Sequence, residues 1–254
     1  MSTISAAIAV FNEEENIETC LKSIESWIDE IVIVDGSSTD QTVSIVRKFK
    51  KILLIEADNP QMFHINKQKA IDACTSTWVL QLDADEIVSA ELKKEILTLI
   101  NNDPLQNGFW IPRKNFFLGR YLMKGGQYPD YTLRLYRRGK GCLPCENVHE
   151  QARVEGELGY LTNPLIHMAD PSFERYLSRF NRYTTHLAHD MKKQNISYGP
   201  KGMFSFFFIK PIYWFILSYF RHKGLADGFP GFVFSFFSSL RFPAAYVKYW
   251  ERKK

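Results

Sequence analysis

The apolar run Thr77-Trp78-Val79-Leu80-Gln81-Leu82 stops on Asp83-Ala84-Asp85-Glu86. Carboxylates are costly to take out of water without a partner, so a buried strand that ends on three acids needs something to compensate them. A hard divalent cation does this; it takes oxygen ligands and usually arrives with phosphates attached. A second acid, Asp35, closes the β-branched run Ile31-Val32-Ile33-Val34 and opens the polar stretch Gly36-Ser37-Ser38-Thr39-Asp40. In a parallel sheet two such loops can face one ligand. One carboxylate can then hydrogen-bond a nucleobase or ribose while the other holds a diphosphate through a metal. Open α/β sheets bind ligands at this end of their strands.

The surrounding pattern supplies the elements that would position these acids. Ser5–Val10, Ile31–Val34, Ile52–Ile55 and Trp78–Leu82 read as short buried strands. Between them, Ile17, Cys20, Leu21, Ile24 and Ile28, then Val43, Val46 and Phe49, then residues 64–75 read as helices, and another follows at 89–101. Four alternations of strand and helix predict an α/β fold with a mainly parallel sheet. Residues 108–167 read as short strands and loops, and 172–195 carry the helical stripe Phe173, Tyr176, Leu177, Phe180, Tyr183, Thr184 and Leu187. The expected organisation is a catalytic domain over 1–200 and an aromatic, basic helical region over 201–254.

Charge and aromatic residues are unevenly spread. Of the 20 Phe, 12 lie between Phe204 and Phe242; residues 203–254 carry 8 Lys/Arg against 2 Asp/Glu, whereas the preceding 202 residues are at −2. A nucleic-acid partner is disfavoured, because the larger part offers no phosphate-tracking surface. The N-terminus is polar, without a signal peptide, so a reducing compartment is expected. Cys142-Leu143-Pro144-Cys145 has the spacing of a redox or zinc pair but lacks a second pair nearby, and reads as incidental loop cysteines.

Three blocks in order, Val10-Phe11-Asn12-Glu13, Val34-Asp35-Gly36-Ser37-Ser38-Thr39-Asp40 and Leu82-Asp83-Ala84-Asp85-Glu86, resemble the nucleotide-binding half of family 2 glycosyltransferases, which have the GT-A fold. The resemblance covers residues 4–100, with one extra Ser in the second block. It implies that Asp35 binds uracil or another base and that Asn12 and Glu13 sit beside the nucleoside. Asp83 would contact the ribose or the metal's water shell, and Asp85 would ligate the Mg²⁺ or Mn²⁺ that neutralises the leaving diphosphate.

Asn147-Val148-His149-Glu150 resembles a block of the subgroup that includes lipopolysaccharide-core glucosyltransferases. This makes Glu150 the candidate general base for the acceptor hydroxyl, with His149 on the acceptor side, and predicts inversion at the anomeric carbon. His167 is a candidate further metal ligand. Tyr128–Arg138 also resembles a block of this subgroup. Arg134, expected to share a strand face with Thr132 and Tyr136, could clamp phosphate or pair with a site acid; Lys67 has the same two readings. Asp130 could pair with Arg134 or flank the acceptor.

The tail predicts a membrane partner. Met203–Phe220 is aromatic but interrupted by Lys210 and Pro211, and neither half approaches the ~20 apolar residues of a spanning helix. Aromatic segments edged by cations suit the lipid interface. The sequence therefore predicts an inverting, metal-dependent hexosyltransferase, peripheral on the cytoplasmic face of the plasma membrane. It would move a hexose from a nucleotide sugar, UDP-linked by preference, to a lipid-linked or lipopolysaccharide-type glycan. The alternatives are a nucleotidyltransferase, disfavoured by an acidic and glycine-free first loop, and a non-enzymatic scaffold on the same fold.

Overall fold

The structure is a computed structural model and describes residues 2–60, 62–146, 150–197 and 199–252. It opens with β1 (Ile4–Val10), α1 (Ile17–Ile24), β2 (Glu30–Asp35), α2 (Thr42–Val46), β3 (Ile52–Glu56), α3 (His64–Ala73) and β4 (Trp78–Asp83). β5 (Glu86–Val88), α4 (Ala90–Asn101), β6 (Gly108–Phe117), β7 (Arg120–Tyr121) and β8 (Asp130–Arg137) follow. The short strands β9 (Gly141–Cys142), β10 (Arg153–Val154) and β11 (Leu158–Tyr160) precede β12 (Leu165–Asp170) and the long α5 (Phe173–Lys193). Two compact units result, one of residues 1–113 with 130–167, the other of 114–129 with 168–254.

In the first unit the main sheet runs β3-β2-β1-β4-β8-β6-β12-β5. The first four strands are parallel, as expected; β8 pairs antiparallel with both β4 and β6, and β12 with β5. Parallel strands are covered on both faces, so their residues are apolar in succession rather than alternately. On one face Ile8, Ile31, Ile33, Leu80 and Leu82 pack with Leu21 and Ile24 of α1 and Leu92 and Ile96 of α4. On the other, Ala7, Val32, Val34 and Val79 meet Ala70 and Ile71 of α3. Ser89 caps α4 by accepting the Leu92 N–H at 3.2 Å.

The pairing of β8 with β6 corrects one expectation. Phe109 lies opposite Leu135 and Trp110 opposite Leu133, so Arg134 is an extra residue in a bulge. A bulge reverses the alternation of faces beyond it. Leu133 and Tyr136 therefore share the α3 face, while Thr132 pairs with Ile111, a residue of the opposite core. Arg134 does not share one face with Thr132 and Tyr136 as a regular strand would require.

The second unit also departs from its sequence pattern. Residues Pro200–Arg221 form one continuous helix, α6, of 22 residues, long and apolar enough to cross a membrane by length and composition. Pro211 does not break it. A proline ring clashes with the carbonyl four residues back, here that of Phe207. That carbonyl lies in a widened π-turn, Ser205–Ile209, and a second π-turn occupies Ile216–Arg221. A turn containing one more residue makes room for the ring.

α7 (Gly228–Ser239) folds back along α6, with Phe232 and Phe236 against Phe215 and with Trp214 donating to Ser238 Oγ at 3.2 Å. α8 (Arg241–Glu251) packs on α5, where Lys248 Nζ donates to Asn181 and Thr184. Within this unit Gly231 lets α7 approach the preceding turn closely: a Cβ there would stand 2.1 Å from the Gly224 carbonyl oxygen. Gly231→Ala should therefore destabilise the protein by about 1–3 kcal/mol, read as a lowered midpoint in urea denaturation, whereas Gly139→Ala, with open space around its Cβ, should cost no more than the strain of its positive φ.

Candidate active site

The first two blocks of acids and amides lace two loops together. Asn12 and Ser37 both have positive φ, 54° and 64°, a conformation non-glycine residues hold only where surroundings enforce it. Here the enforcement is visible. The Asn12 N–H donates to Ser38 Oγ at 2.9 Å, and Asn12 Oδ1 accepts the Thr39 N–H at 2.8 Å. The Glu13 N–H donates to Thr42 Oγ1 at 2.8 Å, while Glu13 Oε2 accepts from Asn16 at 2.7 Å. Asp35 is buried. Its Oδ2 accepts the Ser38 N–H at 3.0 Å, and its Oδ1 is a buried acceptor without a hydrogen-bond partner among the described residues. An acceptor left in this state at a strand end fits a ligand that brings an N–H or O–H.

The strand-end acids sit in an ionic network. Asp83 forms ion pairs with Lys67 Nζ and, at 2.5 Å, with Arg134. Arg134 also meets Glu86 at 2.9 Å, and Glu86 accepts the Asp83 N–H at 2.9 Å. Arg113 lies 3.4 Å from Glu86 and 2.7 Å from Asp130. Burial pushes the Asp83 carboxyl up, but Arg134 and then Lys67 outweigh it and hold the group well below the usual carboxylate range. Burial likewise disfavours charge on Arg134, and Asp83 and Glu86 reverse this, raising its pKa. The bulge is what aims Arg134 at these two acids. Asp130 is brought to Arg113 rather than standing alone at the start of β8.

Asp85, in the turn between β4 and β5, meets His167 of β12: β12 pairs with β5 so that His167 faces Glu86, and His167 Nε2 lies 3.5 Å from Asp85 Oδ2. Among the described residues no group of three or more His, Cys, Asp or Glu side chains gathers as a metal site. A carboxylate and an imidazole side by side nevertheless fit a divalent cation whose remaining positions are filled by diphosphate oxygens and water.

Glu150 is placed by α3. Its carboxylate accepts the backbone N–H groups of Cys145 at 2.5 Å and Glu146 at 2.9 Å, and lies 3.3 Å from His64 Nδ1. His64 and Lys67 are three apart on α3, a spacing that puts both on one helix surface. The first turn of this helix thus touches both Glu150 and Asp83. Between them Asn66 donates to the Asp58 carbonyl at 2.8 Å, and its Nδ2 lies 3.4 Å from where a Cβ on Gly36 would be. His149 lies outside the described residues. All four cysteines are free thiols, Cys142 and Cys145 included.

Sequence reasoning missed His64, Asn66, Glu86 and Arg113 as members of this assembly. A signal was present for the first two: α3 has no clean apolar stripe, yet His64 and Asn66 are buried. Polar residues buried on a helix are held there by partners.

An α/β/α sandwich with acids at the ends of two parallel strands flanking β1 is the GT-A glycosyltransferase architecture. A model of glycosyl transferase family 2 matches residues 5–145, over half of the chain, and the chain belongs to that family. It is 30% identical to the lipopolysaccharide core biosynthesis glycosyltransferase LpsC of Rhizobium meliloti (strain 1021), covering 91% of this chain and 85% of LpsC. An uncharacterized glycosyltransferase of Rickettsia felis is 25% identical over 92% of this chain and 84% of its own length. Among solved structures, the mannosyltransferase PcManGT from Pyrobaculum calidifontis, in complex with GDP-Man and Mn²⁺, aligns with all of this chain and 88% of its own at a TM-score of 0.58 and 15% identity. The S. aureus TarS 1-349 structure in complex with UDP aligns with 99% of this chain and 91% of its own at 0.51 and 15% identity.

The ionic network makes a stability prediction with a definite sign. Arg134→Met leaves Asp83 and Glu86 short of compensation and should cost about 3–5 kcal/mol in urea denaturation at neutral pH. Asp83 has a depressed folded-state pKa, so its contribution is complete above its unfolded value of about 4 and is lost as pH falls through the folded value. The stability gap between wild type and Asp83→Asn should accordingly narrow steadily below about pH 4.

Proposed function

We propose that the chain is an inverting, metal-dependent hexosyltransferase of lipopolysaccharide-core or lipid-linked glycan synthesis, working at a membrane surface. The observation that carries the donor half is the buried Asp35 Oδ1 at the end of β2, without a hydrogen-bond partner among the described residues, one strand removed from the Asp83 end of β4. Asp35 would accept the N–H of a nucleobase, with Asn12 and Glu13 holding the loop against the nucleoside. A uracil nucleotide is the preferred reading, since it needs one such acceptor. Lys67 and Arg134 each carry a charge that a diphosphate can share with Asp83. Asp85 and His167 would hold Mg²⁺ or Mn²⁺, which when bound neutralises charge on the departing diphosphate.

Glu150 is the reading for the base. Its carboxylate, held by the Cys145 and Glu146 N–H groups and 3.3 Å from His64 Nδ1, would accept a proton from the acceptor hydroxyl as the new C–O bond forms. One carboxylate acting opposite the leaving group inverts the anomeric centre. The likeness to LpsC over nine-tenths of the chain supports a lipopolysaccharide-type acceptor.

The second unit supports the membrane reading. On α6, Phe204, Phe208, Ile209, Ile212, Tyr213, Ile216 and Phe220 are all exposed, alongside Lys201 and Arg221. Lys210 sits at mid-helix with its ammonium 3.6 Å from the Phe206 ring centroid. A cation at the centre of a spanning helix is expensive, whereas at the headgroup level rings and cations are both accommodated. The helix is therefore read as lying in the interface rather than crossing it.

Two experiments test these assignments. Asp85→Ala should abolish Mn²⁺-dependent nucleotide-sugar binding and turnover, and Glu150→Gln should keep donor binding while losing transfer. Normal transfer by either variant removes the corresponding role, and release of pyrophosphate instead of nucleoside diphosphate would restore the nucleotidyltransferase reading. Separately, the full chain should cosediment with vesicles containing phosphatidylglycerol and dissociate from them at about 0.5 M salt, where surface charges are screened within a few Å. A Phe204→Ser/Phe208→Ser/Ile212→Ser variant should partition markedly less; no binding of wild type to such vesicles refutes the surface assignment.

A further inference from the structure

Transfer to a glycan requires a second sugar-binding surface, and the first unit carries one candidate outside the acidic site. Trp110 of β6, Tyr131 of β8 and Tyr160 of β11 gather at the sheet. Trp110 and Tyr160 face each other across the parallel pairing of β6 and β11, their rings stacked 19° from parallel with centroids 6.4 Å apart. Tyr131 meets Tyr160 edge-on at 5.1 Å. Tyr160 is 65% exposed and Tyr131 39%, while Trp110 is half-buried and packs against the α3-side core. The cluster thus has a fixed base and two open rings.

Its position follows from the Arg134 bulge. Tyr131 lies two residues before Leu133, on the strand segment whose alternation places Leu133 toward α3. The segment bearing the candidate base runs alongside: Gln151, next to Glu150, accepts the Leu133 N–H through its Oε1 at 3.3 Å. The aromatic cluster and Gln151, the neighbour of Glu150 in sequence, therefore border the same short stretch of β8, whereas Lys67 and Arg134 pair with Asp83.

We propose that Trp110, Tyr131 and Tyr160 form a stacking platform for a pyranose ring of the acceptor glycan. This rests on the reading of Glu150 as the acceptor-side base. The axial C–H groups of a pyranose carry slight positive charge and lie on the negative face of an aromatic ring. Exposed phenol hydroxyls at the rim give sugar hydroxyls uncharged hydrogen-bond partners. Three rings span one or two sugar residues, far less than the ~800 Å² per partner of a stable protein–protein interface, so a glycan is the occupant that fits.

The test measures binding of a deacylated lipopolysaccharide core oligosaccharide to the full chain by calorimetry. Nucleotide release from UDP-glucose and GDP-mannose in the absence of acceptor is followed in parallel. Tyr160→Ala and Tyr131→Ala should each weaken oligosaccharide binding roughly tenfold, about 1.4 kcal/mol, with donor hydrolysis and thermal midpoint unchanged. Tyr160→Phe, which keeps the ring, should stay within about threefold of wild type, less than 0.7 kcal/mol. Wild-type affinity in both alanine variants overturns the platform, as does failure of the wild type to bind the oligosaccharide, or a loss of donor hydrolysis matching the loss of binding. Failure of the donor reading shows separately, as a wild type that releases nucleotide from neither donor.

Discussion

Asp83 can end a buried strand because two cations from different elements reach it. Arg134 comes from a bulge in β8 and Lys67 from the first turn of α3, and Glu86 holds Arg134 from behind while capping the Asp83 N–H. Desolvated charges are tolerated only when closely paired and hydrogen-bonded, so each member constrains the others. The Asp83–Glu86 turn, the bulge and the start of α3 are held in register by the same few contacts. Asp85, carried on that turn, meets His167 where β12 pairs with β5. The proposed catalytic geometry is thus inherited from a charge-compensation problem at one strand end.

α3 reaches three parts of the candidate site. Its first turn touches Glu150 through His64, flanks the Asp35-Gly36 loop through Asn66 and pairs with Asp83 through Lys67. A helix used in this way cannot present a simple amphipathic pattern, since polar side chains are required on its buried surface. Its apolar contribution is confined to the later turns, where Ala70 and Ile71 reach the core.

Much of this was legible in the sequence, for identifiable reasons. The parallel strands announced themselves as short apolar runs, two of them stopping at acids. Asp35 and Asp85 could be singled out as candidates by type and position alone, because each lies at or just past the end of its own strand. Partners contributed across the fold were harder: nothing in the spacing of Arg113, Glu86 and Asp130 foretells that they meet, because β6, β5 and β8 come together only through tertiary pairing. The bulge at Arg134 was invisible for a related reason, since a strand's alternation is read on the assumption that no residue is added. At α6 the sequence pattern was read correctly and the inference failed: Pro211 does interrupt α-helical bonding, but a π-turn absorbs it and the helix continues.

The bulge also bears on how this enzyme could be remodelled. Substitutions chosen by counting every second residue along β8 would be placed on the wrong side of the sheet past Arg134, where Tyr136 shares a core with Leu133 and Leu135 does not. Removing the one extra residue would restore an unbroken pleat and leave its neighbours on the faces they already occupy, at the loss of the cation that meets Asp83 and Glu86. The strand is therefore better regarded as two short modules joined by a charged pivot, each open to redesign alone, with the pivot itself the position that must be left untouched.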